Sequence, residues 1–122
     1  MRKAGIDVGS SLTKVAFKDE NGEWVLLSTA DYSLELIIQE LKNHQGITEL
    51  NVCGINKLPE EFRNFKINRP RGKLIDNEIK FHARGARELL KIGGQTAKDF
   101  LLVSLGTGTS YTFVNGKSAT RF

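Results

Sequence analysis

Apolar and polar positions alternate with a period of two near the start of the chain, and the period then becomes helical. Lys3 to Val8 reads as a buried strand ending at Gly9. Thr13 to Lys18 alternates Val15 and Phe17 with polar neighbours, a strand period. Asn21-Gly22 predicts a two-residue hairpin turn, and Trp24 to Ser28 is the returning strand. Ser33 predicts an N-cap, because Leu34, Ile37, Ile38 and Leu41 follow at helical spacing, and Gly46 ends that segment. Leu50 to Ile55 predicts a fourth strand. From Leu58 to Arg71 the pattern is weak. Pro59 opens a short helix there, Phe65 to Ile67 a short strand, and Pro70 breaks it. Asp76 predicts the cap of a second long helix through Leu90. Its stripe is Ile75, Ile79, Ala83, Ala86 and Leu90, with Gly93-Gly94 terminating it. Phe100 to Leu105 predicts a buried strand ended by Gly106. Tyr111 to Val114, Asn115-Gly116 and Lys117 to Phe122 predict a second hairpin.

The element order is three antiparallel strands, helix, strand, helix, strand. Strands separated by helices imply right-handed parallel crossovers. A meander followed by such crossovers resembles the ribonuclease-H-like unit of actin, hexokinase and Hsp70 lobes. The expected fold class is therefore α/β, a mixed sheet flanked by helices, forming a single lobe of an actin-like ATPase fold. On this reading residues 1–105 are that lobe. Residues 106–122 are a hairpin opening a second lobe that the 122 residues do not contain.

Composition narrows the picture modestly. A chain of 122 residues with 39% hydrophobic and 26% charged content suits one compact core. Its net charge of +4 gives a weak pull toward anions, and the basic residues are dispersed apart from Arg69, Arg71 and Lys73. That cluster could meet phosphate or nucleic acid; a solvated loop is the plainer reading. Cys53 is the single cysteine, so no intrachain disulfide can form, which suits a reducing cytosol. It sits in an apolar run and reads as core rather than as a nucleophile. No apolar stretch of membrane-spanning length is present.

Two loops carry candidate chemistry. In Asp7-Val8-Gly9-Ser10-Ser11-Leu12-Thr13-Lys14, Gly9 lets the backbone turn tightly beside a ligand. Successive amides and the hydroxyls of Ser10 and Ser11 can donate to phosphate oxygens. Asp7, at a strand end, can hold hydrated magnesium, and Lys14 is a mobile charge for phosphate. In Gly106-Thr107-Gly108-Thr109-Ser110, two glycines and alternating hydroxyls offer a second polar loop. Either loop alone reads as a glycine-containing turn; the pair after two apolar strands does not. Glu78 at the start of the second long helix complements the helix dipole, and that alone accounts for most first-turn glutamates. His82 lies one turn later, within hydrogen-bonding reach of Glu78. His44 sits near a helix end, and neither histidine is assigned to a metal.

These motifs resemble type II pantothenate kinases. The first loop matches the first phosphate loop of the actin-like ATPases, including the Lys after Asp. Gly-Thr-Gly-Thr-Ser after an apolar strand is similar to the second loop of those kinases. Glu78-Ile79, Gly85 and Leu89-Leu90 repeat their helix layout. The resemblance implies ATP and Mg2+ as cofactors and Glu78 as general base on the pantothenate hydroxyl. It implies ATP-phosphate binding by Gly9, Ser10, Ser11, Lys14 and Gly106, metal holding by Asp7, and substrate binding by Thr107, Ser110 and Arg121. It further implies a cytoplasmic enzyme of coenzyme A biosynthesis, homodimeric at full length, with a small-molecule substrate and no nucleic-acid or membrane partner. One lobe without the opposing wall is expected to show no steady turnover.

One departure keeps other readings open. Ser10-Ser11 stands where those kinases usually have Gly-Thr, a pair similar to activator ATPases of radical dehydratases. Those activators need cluster cysteines that Cys53 alone cannot supply. A nucleotide-binding module without catalysis of its own is the second reading. A ribonuclease-H-like nuclease is the third, with Asp7 and Glu35 or Glu40 as acids. The fourth strand, however, offers Val52, Cys53 and Gly54 where a further Asp is wanted.

Overall fold

A computed structural model describes residues 2–44, 46–54, 56–106 and 108–122. The chain divides into two compact units, Met1–Arg71 and Gly72–Phe122.

The first unit is a five-stranded sheet in the order β3-β2-β1-β4-β5. Its strands are β1 (Arg2–Val8), β2 (Thr13–Lys18), β3 (Trp24–Ser28), β4 (Ile47–Cys53) and β5 (Lys66–Asn68). β1 pairs antiparallel with β2 and parallel with β4, as the element order predicts, and β5 adds a second parallel pair. Residues alternate between the two faces of each strand. Ala4, Ile6, Val8, Val15, Phe17, Leu50 and Val52 fall on one face and are buried. Against them pack Ile37, Ile38 and Leu41 of α1 (Leu34–Asn43), and Phe62 of a 3-10 turn, Glu60–Phe62. Each such side chain contributes about 1.5–3 kcal/mol by leaving water. Ser33 caps α1, its Oγ accepting from the Leu36 amide at 3.2 Å. His44 ends the helix, with Nδ1 3.0 Å from a Glu20 carboxylate oxygen and its ring 4.8 Å from Phe17.

The β2–β3 turn differs from the two-residue expectation. Asp19 bonds through its amide to Glu23 O at 2.9 Å and accepts the Gly22 amide at 3.1 Å. The Asp19 carboxylate also accepts the amides of Asn21 and Glu23 at 2.9 Å each. Only Gly22 takes a positive φ, 79°. The loop is thus three residues, Glu20 to Gly22, closed by a glycine in the left-handed region. The Asp19 side chain is what favours this longer form.

The opposite face of this sheet is polar across β1, β4 and β5, while β3 sets the exposed Trp24 and Leu26 on it. Lys3, Glu49 and Lys66 lie side by side across β1, β4 and β5, and Asn51 is level with Asn68. Glu49 is only 4% exposed. Its carboxylate accepts from Asn68 Nδ2 at 2.9 Å and lies 3.7 Å from Lys3 Nζ and 3.8 Å from Lys66 Nζ. The Asn68 hydrogen bond, aided by both lysines, holds this carboxyl below the ordinary carboxylate range against the effect of burial. A group with a depressed folded pKa contributes stability above its unfolded value and loses it as pH falls through the folded one. Glu49→Gln should therefore melt below wild type at neutral pH, and the gap should narrow as acidification carries the pH below the free glutamate range and through the carboxyl's lowered folded pKa. Melting both proteins at several pH values checks this; a pH-independent gap would refute it.

The second unit holds α2 (Leu74–Ile92) and a three-stranded antiparallel sheet of β6 (Asp99–Leu105), β7 (Thr109–Asn115) and β8 (Ser118–Arg121). The sequence pattern places Phe100–Leu105 in the first lobe and opens the second at Gly106. In the structure β6 and β7 are hydrogen-bonded neighbours over seven positions, from Asp99↔Asn115 to Leu105↔Thr109. The short Gly-rich turn between them favours that local pairing. Leu101, Val103 and Leu105 are exposed on one face of β6, so the strand is not buried as its composition predicts. α2 begins at Leu74 with Lys73 at the N-cap and no side-chain cap, so Asp76 sits in the first turn rather than capping. Of the expected stripe Ala83 is buried and Ile79, Ala86 and Leu90 are half-buried, whereas Ile75 is 53% exposed. Gly93 and Gly94 close the helix on Leu89 O and Lys91 O, both at 3.0 Å. Arg87 then reaches the carbonyls of Ala97, Lys98 and Gly116 and lies over the Phe100 ring, fastening α2 to the sheet.

Candidate functional site

In the first unit, β1 delivers Asp7 on the polar face just before the chain turns. Gly9 N–H bonds Leu12 O at 2.9 Å, and a Cβ on Gly9 would stand 3.0 Å from that oxygen. The Gly9 amide is thus spent on the turn itself. The amides left for a ligand are those of Ser10, Ser11 and Leu12, with both serine hydroxyls exposed. Asp7 and Lys14 are cross-strand partners, with Nζ 4.0 Å from the carboxylate. Both are substantially exposed, so the contact is loose and Lys14 can swing to a phosphate. Cys53 is level with Asp7 on β4 and partly buried, on the polar face rather than in the apolar core the sequence predicts.

Residues after β4 that the pattern does not single out hold this loop in place. Gly54 has φ 104°, and a Cβ there would lie 2.4 Å from Val8 O. Asn56 donates its amide to Val8 O at 3.2 Å and its Nδ2 to Gly9 O at 2.6 Å. A Gly-x-Asn directly after a strand is the signal that could have found them. Ile55, the expected end of the fourth strand, lies outside the described residues.

In the second unit, α2 and β8 bring together Glu78 and Arg121, with Nη1 3.7 Å from Oε1. Arg121 Nη2 is 3.4 Å from His82 Nδ1, so His82 meets Arg121, where the spacing had suggested Glu78. Arg121 is level with the buried Thr112, and alternation puts Ser110 on the same face of β7, with Ser104 its partner on β6. This row of hydroxyls beside a carboxylate and a guanidinium can bind and orient a polar substrate. The alternation Ser110-x-Thr112 carried that information, and Ser104 and Thr112 were missed. Gly106 N–H bonds Gly108 O at 3.0 Å, making the second loop a tight turn. Thr107 lies outside the described residues.

For a metal, the fit is that of a partly hydrated ion. Asp7 offers an accessible carboxylate, whereas no group of three or more His, Cys, Asp or Glu able to hold an ion occurs among the described residues. Such a site suits magnesium, which keeps waters and shares phosphate oxygens. It does not suit the convergent acids of a two-metal nuclease. Among the described residues no helix is long and apolar enough to cross a membrane.

The first unit's mixed sheet is that of the actin-like ATPase fold. An Aquifex aeolicus PPX-GPPA enzyme superposes over 100% of the chain and 51% of its own length, with TM-score 0.53 and 17% identity. The Lmo2764 protein of Listeria monocytogenes gives TM-score 0.50 at 18% identity over 98% of the chain and 49% of its own. At such identities the likeness is one of fold.

In sequence, the chain is similar to type II pantothenate kinases along nearly its whole length. That of Oceanobacillus iheyensis is 29% identical over 120 residues, 98% of this chain and 43% of the relative. That of Bacillus cereus strain G9842 is 30% identical over 115 residues, covering 93% and 40%. That of Staphylococcus saprophyticus is 30% identical over 119 residues, covering 98% and 42%. The chain therefore spans about two fifths of the length of these relatives. No protein-family model matches the sequence.

Proposed function

We propose that this chain is part of an ATP-dependent pantothenate kinase acting in the cytosol. The observation that carries the reading is the similarity to type II pantothenate kinases over 93–98% of the chain. It takes in both glycine-containing loops and Glu78.

The residues divide the work by charge. Phosphoryl transfer asks a protein chiefly for positioning, charge neutralisation and a base. The Ser10–Leu12 amides, the two serine hydroxyls and Lys14 face phosphate oxygens, and Gly9 keeps the turn tight enough for them to converge. Gly106 plays the corresponding part in the second loop. Asp7 holds magnesium, which when bound neutralises phosphate charge. Glu78 takes the proton from the pantothenate hydroxyl. Arg121 binds the substrate beside it, with Ser110 of the polar row, and Thr107 supplies a further hydroxyl.

The test uses a protein extended to the length of the relatives. With magnesium, ATP and pantothenate it should form phosphopantothenate, and Asp7→Asn should weaken the magnesium dependence of turnover. Nucleotide binding without phosphorylated product would leave the alternative, a nucleotide-binding module or activator-type ATPase. Absence of both would remove the reading altogether.

A further inference from the structure

We infer that His82 is a positioning residue, held as the neutral Nε2–H tautomer, which fixes the Arg121 guanidinium at a set distance from Glu78. The inference rests on the proposed roles of Glu78 and Arg121, but its geometry stands without them.

Arginine has only donors and stays protonated at any working pH. The 3.4 Å contact between Arg121 Nη2 and His82 Nδ1 is therefore productive only if Nδ1 accepts. That requires an unprotonated Nδ1, with the ring proton on Nε2. The second arm of the guanidinium, Nη1, stands 3.7 Å from Glu78 Oε1, beyond a tight charge-assisted hydrogen bond. Arg121 Nε is buried and has no partner among the described residues. The guanidinium is thus strung between an imidazole lone pair and a carboxylate rather than forked onto the carboxylate.

The arrangement has a chemical consequence. A bidentate Arg–carboxylate pair would occupy both oxygens of Glu78 and favour its charged form. A carboxylate so occupied is a poor proton acceptor. By taking up one side of the guanidinium, His82 keeps Arg121 aimed across the site and leaves Glu78, whose side chain is 42% exposed, open to a substrate hydroxyl. Helical spacing makes this possible, since residues four apart share one face of α2.

The first arm of the test needs no ligand and no turnover. Two-bond proton–nitrogen correlation spectra of this chain near neutral pH should show His82 with a non-protonated Nδ1 and a protonated Nε2. Arg121→Met, which removes every donor, should shift both nitrogens toward a tautomer mixture. A protonated Nδ1 in wild type, or unmoved nitrogens in Arg121→Met, overturns the inference. If Arg121→Met fails to fold, the wild-type tautomer alone decides.

The second arm uses the extended enzyme. Asn keeps an acceptor where Nδ1 stands, and Phe keeps only the ring shape. His82→Phe should lower kcat about 10- to 100-fold, the scale expected when a catalytic group is misplaced. His82→Asn should restore most of it. Equal losses in the two variants would show a packing role and overturn the positioning role. Should Glu78→Gln prove fully active, the kinase roles fall, while the spectra still judge the His82–Arg121 geometry.

Discussion

Gly54→Ala should destabilise the first unit by about 3 kcal/mol or more, the largest stability loss expected from any single-methyl addition to it. Two costs combine at this position. Its φ of 104° is a conformation side chains rarely adopt, and such a residue costs about 1–3 kcal/mol. In addition, the added Cβ would lie 2.4 Å from Val8 O and 2.6 Å from Val8 N. Those atoms are backbone of a central strand and cannot turn aside as a side-chain tip would. For a unit of this size 1 kcal/mol is worth roughly 4–8 °C, so the melting temperature should fall by about 12–24 °C. Gly22→Ala is the internal control. Its φ of 79° is also left-handed, yet nothing lies within 4 Å of its Cβ. It should cost about 1 kcal/mol. Circular dichroism melts of the two variants separate crowding from dihedral strain, and equal melting temperatures would refute the close-approach argument. The same crossing that forbids a Cβ at Gly54 lets Asn56 grip Gly9 O. Nucleotide affinity should therefore fall with stability in Gly54→Ala and stay unchanged in Gly22→Ala.

Much of this fold was legible because its first half obeys one rule at a time. β1 and β2 alternate, since one face is packed and the other is not; β3 is apolar on both faces and was legible from the Asn21-Gly22 turn before it, and α1 carries a cap and a stripe that agree. The parallel pairing of β1 with β4 follows from a helix lying between them. Legibility failed where a polar residue found partners out of sequence reach. β4 begins at Ile47, not Leu50, because Glu49 interrupts the apolar run and is satisfied there by Asn68, Lys3 and Lys66. Cys53 read as core because it follows Leu50 and Val52, yet alternation turns it to the face of Asp7. β6 read as a buried strand because both of its faces are apolar, and no periodicity says which sheet such a strand joins. The site shows the same limit. Asp7, Ser10, Ser11 and Lys14 announce themselves in one contiguous string. The meeting of Glu78, His82 and Arg121 depends on how α2 lies on β8, which no local pattern encodes. Thr112 was hidden for the same reason, since a buried threonine in a strand reads as an ordinary β-branched residue.

Glu78→Gln should lower turnover of the extended enzyme by about 100- to 10,000-fold while leaving nucleotide affinity nearly unchanged. The range is that of a general base positioned at the reacting proton. Gln keeps the length of the side chain and can still accept a hydrogen bond from a substrate hydroxyl, but it cannot take the proton. It also removes the negative charge that faces Arg121 Nη1 at 3.7 Å. The pair is partly exposed, so that loss should cost the fold no more than about 1 kcal/mol. Activity and stability therefore part company in this variant. Asp7→Asn parts them along another line, since its effect should depend on magnesium concentration and that of Glu78→Gln should not. α2 begins at Leu74, so Glu78 lies past the first turn that Asp76 occupies and is not the first-turn dipole partner the sequence predicts. If its role is only the ion pair with Arg121, Gln costs that small stability loss and nothing in rate. Steady-state kinetics of wild type, Glu78→Gln and Asp7→Asn, each at several magnesium concentrations, distinguish the cases. Undiminished turnover in Glu78→Gln would take the base away from Glu78. The phosphate loop built by β1 and β2 would then be the part of the proposal still standing.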